Sequence, residues 1–317
     1  VVKTLLIKVN IYRLKSTHNN TYLEVFMSTN YLTHNNYFTT SGHGKDWTVN
    51  LKPVTQTPNS WFTESIRSAQ LIKESADSPL VLLFSGGLDS EYMLNIFKHA
   101  GIDFKVAIIS YGDYNIHDNK HAFEYCEAHG IEPIVIDIDM DWFINSGKII
   151  EIANLAKCCA YQIPSIMHGI SQIDGTVIMA NGEPYVKNFD GDWRWEETER
   201  VNSYMNWFSL LHLEGTPDFL RYTPEMTVSF LMEPRVIQLV NNEHPGKLST
   251  RTSKHMIYTQ HLKMSKRAKF TGWEKLEKLP IMQHELFKEF DLLKEKYNGV
   301  FELGYNDLVD ELLKYGT

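Results

Sequence analysis

The chain has 317 residues, with 31 basic and 39 acidic side chains for a net charge of −8. That balance argues against broad electrostatic capture of RNA or DNA, which needs a basic surface. A hydrophobic content of 43% supports a real core in one large or two medium domains. No apolar stretch approaches the roughly 18 residues of a membrane span, and no secretory leader pattern opens the chain, so no membrane association is expected. The three cysteines, Cys126, Cys158 and Cys159, form no CxxC pair, and a reducing cytoplasm is the expected setting.

Residues 1–60 are rich in Thr, Asn, Tyr and Val. Short alternating runs at Leu5–Tyr12, Thr21–Met27 and Trp47–Leu51 predict a small antiparallel β unit. His18-Asn19-Asn20 and His34-Asn35-Asn36 are turn-like. Helical spacing of Phe62, Ile66, Ala69 and Ile72 predicts a helix over Trp61–Ser75.

From Leu80 the pattern alternates. A strand over 80–84 precedes a helix over 89–100, and a strand over 104–110 precedes a helix over 118–129. A strand over 133–138 precedes helices near 142–156 and 158–171. A strand over 176–180 ends in Asn181-Gly182-Glu183-Pro184. Strands spaced by such helices predict a doubly wound parallel α/β sheet. Ligands in such sheets bind beyond the strand C-terminal ends. The turn at Ser85–Ser90, the Ser110-Tyr111-Gly112 turn, Asp137–Asp141 and Gly182-Glu183 all lie at such ends. Beyond Tyr185 the chain reads as mostly helical, with helices near 197–213, 225–232, 233–242, 252–263 and 283–296 and a last one over Tyr305–Tyr315.

The most specific segment is Ser85-Gly86-Gly87-Leu88-Asp89-Ser90, between a buried strand and a helix start. Backbone amides of a glycine turn and of the helix N-terminus form a ready anion site. Two glycines admit a phosphate closely, and Ser85 and Ser90 add hydroxyl donors. Asp89 suits such a cradle when a cation lies between it and the phosphates, and nucleotide-bound Mg2+ is the natural one. No lysine ends the turn, so it is not the Walker loop. A third glycine is missing, so it is not the dinucleotide fingerprint.

The hexapeptide matches SGGxDS, and here the chain resembles the PP-loop ATP pyrophosphatases. The resemblance implies a fold of the adenine-nucleotide α-hydrolase kind and cleavage of ATP to AMP and pyrophosphate. The C-terminal half narrows it. Val228-Ser229-Phe230-Leu231 with Val236 and Leu239, then Arg251-Thr252-Ser253-Lys254-His255, then Arg267-Ala268-Lys269-Phe270, is similar to the synthetase domain of asparagine synthetases. The similarity covers about residues 75–275. The expected organisation is a small β-rich unit over 1–60, a synthetase-like domain over 61–275 and a helical extension over 276–317.

Carried over by position, the resemblance implies that Ser85, Gly86, Gly87, Leu88, Asp89 and Ser90 hold the ATP phosphates, with Asp89 on Mg2+. Ser110 and Tyr111 would lie by the adenosine. Gly182 and Glu183 would lie beside pyrophosphate and substrate. Lys254 would stabilise the transition state, and Arg267 and Lys269 would flank the phosphates. The implied activity is an AMP-forming carbon–nitrogen ligase that adenylates a carboxylate or amide-like oxygen. The nitrogen would come from ammonia, an amine, or a separate amidotransferase or carrier protein. A homo-oligomer is left open.

The chain departs from that family in its acidic loop, where G-E-G-x-D-E gives way to Gly182-Glu183-Pro184-Tyr185-Val186. Asp190 or Asp192 would have to replace the missing acids. Residues 1–70 hold no cysteine, so a glutaminase of the family's kind is not expected there. Two other functions remain: a PP-loop enzyme modifying a nucleobase in tRNA or a nucleotide, and a non-catalytic ATP- or AMP-binding module. A solvated basic helix face is the plainer account of Arg251, Lys254, Lys263, Lys266, Arg267 and Lys269. His117 and His121, four residues apart, read as a solvated helix start rather than a metal site. Trp193, Trp195 and Trp207 read as a cluster serving either a substrate pocket or the core. Asp137, Asp139 and Asp141 read as helix caps ahead of substrate ligands. Cys158 and Cys159 read as buried residues on a helix.

Overall fold

The structure is a computed structural model, and it describes residues 37–264 and 272–314. In chain order the elements begin with strands β1 (Phe38–Ser41) and β2 (Thr48–Leu51) and helix α1 (Trp61–Ser75). Then come β3 (Leu80–Leu83), α2 (Leu88–His99), β4 (Lys105–Ser110), α3 (Ile116–Ala128), β5 (Ile134–Asp137), α4 (Met140–Asn145), α5 (Lys148–Leu155), α6 (Ile163–Ile170) and β6 (Thr176–Ile178). The second half has β7 (Val186–Phe189), β8 (Asp192–Thr198), α7 (Val201–Leu211), β9 (Gly215–Thr216), α8 (Pro224–Leu231), α9 (Pro234–Val240) and α10 (Thr250–Tyr258). It closes with α11 (Trp273–Leu276), α12 (Phe287–Tyr297), β10 (Val300–Gly304) and α13 (Tyr305–Leu313).

The central sheet has five parallel strands in the order β5-β4-β3-β6-β9. The chain runs outward from β3 through β4 to β5, then returns to β3's other side as β6. Strand alternation divides the core in two. Leu80, Leu82, Val106, Ile108 and Ile178 face one apolar layer, which includes residues of α1, α2 and α8. Val81, Ala107, Ile109, Val177 and Met179 face the other, with residues of α4 to α7 and α12. Both faces are covered, so these strands read as continuous apolar runs. The fold is α/β and doubly wound, with a largely helical C-terminal part.

Local signals set most boundaries. Ser60 caps α1 by accepting from the Thr63 amide. Asp139 caps α4 in the same way, accepting from the Trp142 amide at 2.9 Å. The single helix expected over 142–156 is two, because Gly147 at φ 75° breaks it between α4 and α5. The helix expected over 158–171 starts only at Ile163, so Cys158 and Cys159 precede it in a loop. Both are buried, as is Cys126.

The largest departure lies beyond Tyr185. A three-stranded antiparallel sheet, β10-β8-β7, lies within the part expected to be mostly helical, mainly in stretches given no helix, and the helix expected from 197 begins at Val201. In β8, Trp193 and Trp195 are buried while Asp192 and Arg194 face solvent. That is a period of two. β9, with only Gly215 and Thr216, carried no readable pattern. β1 and β2 form an antiparallel hairpin, and the strands expected at Leu5–Tyr12 and Thr21–Met27 lie outside the described residues. Among the described residues no helix is long and apolar enough to cross a membrane.

Candidate active site

The strand order reverses between β3 and β6, and a cleft of about 310 Å3 opens there beyond the strand ends. Its apolar lining includes Ile109 and Tyr111 at the end of β4, Ile163 and Ile166 of α6, and Trp273 of α11, with Asn115, Asn119 and Gln162 among the polar lining. Phe84, Ser85, Asp89 and Ser90 from the turn after β3, and Ala180 and Asn181 after β6, also line it.

The turn folds on its own hydroxyls. The Ser85 amide donates to Ser90 Oγ at 3.3 Å, the Gly87 amide to Ser85 Oγ at 3.4 Å, and Ser90 Oγ to the Gly87 carbonyl at 3.0 Å. Gly87 is the N-cap of α2 and supplies no side-chain cap. The first-turn amides of α2 therefore keep the capacity to bind an anion. Gly86 has φ 70°, and a Cβ there would stand 2.7 Å from the Asp118 carbonyl oxygen. Only glycine lets α3 pack this closely on the turn.

Asp89, in the first turn of α2, joins an ionic cluster at the cleft's edge. Lys254 Nζ lies 2.5 Å from Asp89 Oδ2 and 2.5 Å from Glu183 Oε2. The Tyr258 phenol donates to Asp89 Oδ1 at 2.6 Å. The side chain of Glu183 is 9% exposed, and its Oε1 is buried with no partner among the described residues. Burial pushes the Glu183 carboxyl up, against the pull of Lys254. Burial lowers the Lys254 ammonium, but Glu183 and then Asp89 outweigh it, so it stays charged above the ordinary lysine value.

The surrounding elements fix this geometry. Thr250, fully buried at the start of α10, accepts from the Val186 amide at 3.1 Å and donates to the Pro184 carbonyl at 3.0 Å. It ties the Glu183 loop to the helix that carries Lys254. Tyr258 packs against Trp61 and Tyr92, whose rings stack 4.2 Å apart. The first residue of α1 thus supports the phenol that holds Asp89.

Ser85, Asp89, Ser90 and Tyr111 line the cleft, and Glu183 and Lys254 meet Asp89 at its edge. Ser110 is not among the lining residues, and its hydroxyl accepts from the Gly112 amide. Burial pushes the Tyr111 phenol up to about 12, so it stays protonated beside Ser165. Arg267 and Lys269 lie outside the described residues, as does Lys266. Asp192 pairs with Arg194 on the surface of β8. The three tryptophans do not form one cluster: Trp193 and Trp195 pack in one core layer, Trp207 in the other, and none lines the cleft.

Sequence reasoning missed Tyr258, Thr250 and Asn181. Tyr258 follows Lys254 by four residues, which puts both on one helix face and was a readable signal. Asn115 and Asn119 were also missed. They bond each other, and the Asn115 amide holds the Ile109 carbonyl and the Tyr111 amide, fixing the end of β4.

The residues fit a magnesium nucleotide. The turn offers uncapped amides, and Asp89 and Glu183 offer two carboxylates. Mg2+ is commonly held by one or two carboxylates together with substrate phosphates.

No family model matches the sequence, and no curated protein matches it. Among solved structures, the chain is similar to the NH3-dependent NAD synthetase from Campylobacter jejuni subsp. jejuni NCTC 11168 in complex with the nitrate ion. That likeness is 21% identical, covers 39% of this chain and 58% of the other, and has a TM-score of 0.30. The NMN synthetase from Francisella tularensis is 14% identical over 72% of this chain and 94% of its own, with a TM-score of 0.29. The U34-tRNA thiolase NcsA from Methanococcus maripaludis with its [4Fe-4S] cluster is 12% identical over 74% and 80%, with a TM-score of 0.31. Activity does not follow from likenesses this slight, and the functional reading rests on this chain's own residues.

Proposed function

We propose that the protein is an AMP-forming ligase that uses ATP to activate a carboxylate for amide formation. The observation that carries this reading is the joining of an uncapped SGGLDS turn to Lys254 and Glu183 through Asp89. An anion cradle, an acid pair and one half-buried ammonium suit attack at an α-phosphorus.

In this reading ATP lies with its base against Ile109, Tyr111 and Trp273 and its phosphates on the turn. Asp89 and Glu183 would hold Mg2+, which would neutralise charge on the phosphates. A carboxylate oxygen of the acceptor attacks the α-phosphorus, the bond to the bridging oxygen breaks, and pyrophosphate leaves with the electron pair. Lys254 stabilises the charge that builds on that leaving group, the kind of term that is often largest in catalysis. For this it must exchange its carboxylate partners for phosphate oxygens. A nitrogen nucleophile then attacks the acyl carbon and AMP departs. The nitrogen's proton passes to solvent as the amide forms. Ammonia or a primary amine is the nitrogen source, free or delivered by a separate protein, and a small carboxylate is the acceptor.

The test is pyrophosphate release from Mg-ATP across a panel of amino acids and dicarboxylates with ammonium present. Lys254→Ala is expected to lower turnover at least a hundredfold while changing KM for ATP by less than tenfold. An equal loss in both would make Lys254 a phosphate anchor only. No release with any acceptor, despite ATP binding, would favour a binding module.

A further inference from the structure

One edge of the central sheet is β5, which pairs only with β4 among the described residues. Just past β5, the Ile138 amide donates to the Ser110 carbonyl of β4 at 2.9 Å. Bonding to one neighbour recurs at every second residue of a strand, so Ile134 and Ile136 also turn their backbone groups to β4. Val135 and Asp137 turn theirs outward, where no strand lies among the described residues.

Edges of this kind are usually blunted by lysine or by proline within the strand. β5 reads Ile134-Val135-Ile136-Asp137 and has neither; Pro133 only precedes it. Ile134 is 40% and Val135 42% exposed. An exposed aromatic flanks the edge in each layer. Phe123 of α3 shares a shallow groove with Pro133, and Trp142 of α4 lies against His168 of α6.

The strand is complementary to itself. About a two-fold axis at Ile136, two copies run antiparallel. Val135 then stands opposite Asp137 of the second copy, and Asp137 opposite its Val135. Every outward amide and carbonyl of these residues meets a counterpart. Ile136 faces Ile136, and Ile134 faces Ile138. An axis at Asp137 would oppose two carboxylates, and one at Val135 would spend a bonded place on Pro133, which has no amide. Only the middle register avoids both.

We propose that two copies of the chain join β5 to β5 in this register, merging their sheets edge to edge, with Phe123 and Trp142 covering the joint on its two faces. β5 lies two strands from the turn after β3, so both clefts stay open. The inference is independent of the nucleotide reading.

The experiment is sedimentation of the full chain from about 1 to about 100 µM, where a modest interface assembles. The wild type is expected to approach twice the 36.8 kDa chain mass. Val135→Pro removes an outward amide from each copy without touching a bond to β4, and should weaken the dimer about tenfold or more. Val135→Thr keeps the amide and the branched shape, and should stay within about threefold. Val135→Lys, which leaves the backbone intact, should weaken the dimer even if the proline variant fails to fold. Ile136→Cys, opposite itself across the axis, should form a covalent dimer with diamide, and Ile134→Cys should not. The native cysteines are buried, so the wild type is the blank. A wild type that stays monomeric throughout overturns the proposal. So does a dimer unmoved by Val135→Lys, or one cross-linked through Ile134→Cys and not through Ile136→Cys.

Discussion

Gly86 shows how one residue carries both fold and site. Its positive φ, and a Cβ position 2.7 Å from a backbone oxygen of α3, leave no neighbour that can yield. Gly86→Ala is expected to cost about 2 kcal/mol or more in chemical denaturation, since both strain and a backbone clash are imposed. A stability loss below 0.5 kcal/mol would mean the turn is not held as described. Glu183 makes a second test. Its folded pKa is raised, so it contributes most below its unfolded value, and that contribution is lost as pH rises through the window up to its folded value. Glu183→Gln has no such titration. The wild type should therefore lose stability relative to the glutamine variant as pH rises from the ordinary carboxylate range toward neutrality. A parallel pair of stability curves would contradict the burial argument. Asp89 and Ser90 were legible in the sequence because a short motif carries them. Asn115 was not, because an asparagine ahead of a helix reads as a cap until its bonds to the Ile109 carbonyl and the Tyr111 amide are seen.

At the scale of elements, legibility followed periodicity. α1 over Trp61–Ser75 stood out through its helical spacing, and β3 to β6 through apolar runs. β7 and β8 did not, because the buried Trp193 and Trp195 were weighed as a cluster before their alternation was. The cost of that misreading falls on Glu197, which sits on β8 and reaches Arg221 beyond β9. This buried pair, with Asp218, braces the loop that carries Asn181 and Glu183. Arg221→Met would strand two buried carboxylates, and should lower stability by about 3 kcal/mol or more. Denaturation in urea checks this. A loss under 1 kcal/mol would mean that the charges are screened by water and the loop is braced otherwise.

For the whole molecule, the doubly wound sheet places four separate segments at one cleft: the turn after β3, the end of β4, the loop after β6 and the helix α10. The sequence indicated that the first three lie at strand ends, since that follows from strand and helix alternation. It did not indicate that Lys254 reaches Asp89 across 165 residues, because such a contact depends on how α10 packs. The central claim is that these segments together grip a nucleotide triphosphate through its magnesium. The most direct measurement is a calorimetric titration of the full chain with ATP, with and without Mg2+, for the wild type and Asp89→Ala. Saturable uptake by the wild type, stronger with Mg2+ and reduced at least tenfold in the alanine variant only when Mg2+ is present, is the predicted result. No uptake by the wild type, or uptake indifferent to both the metal and Asp89, would contradict it.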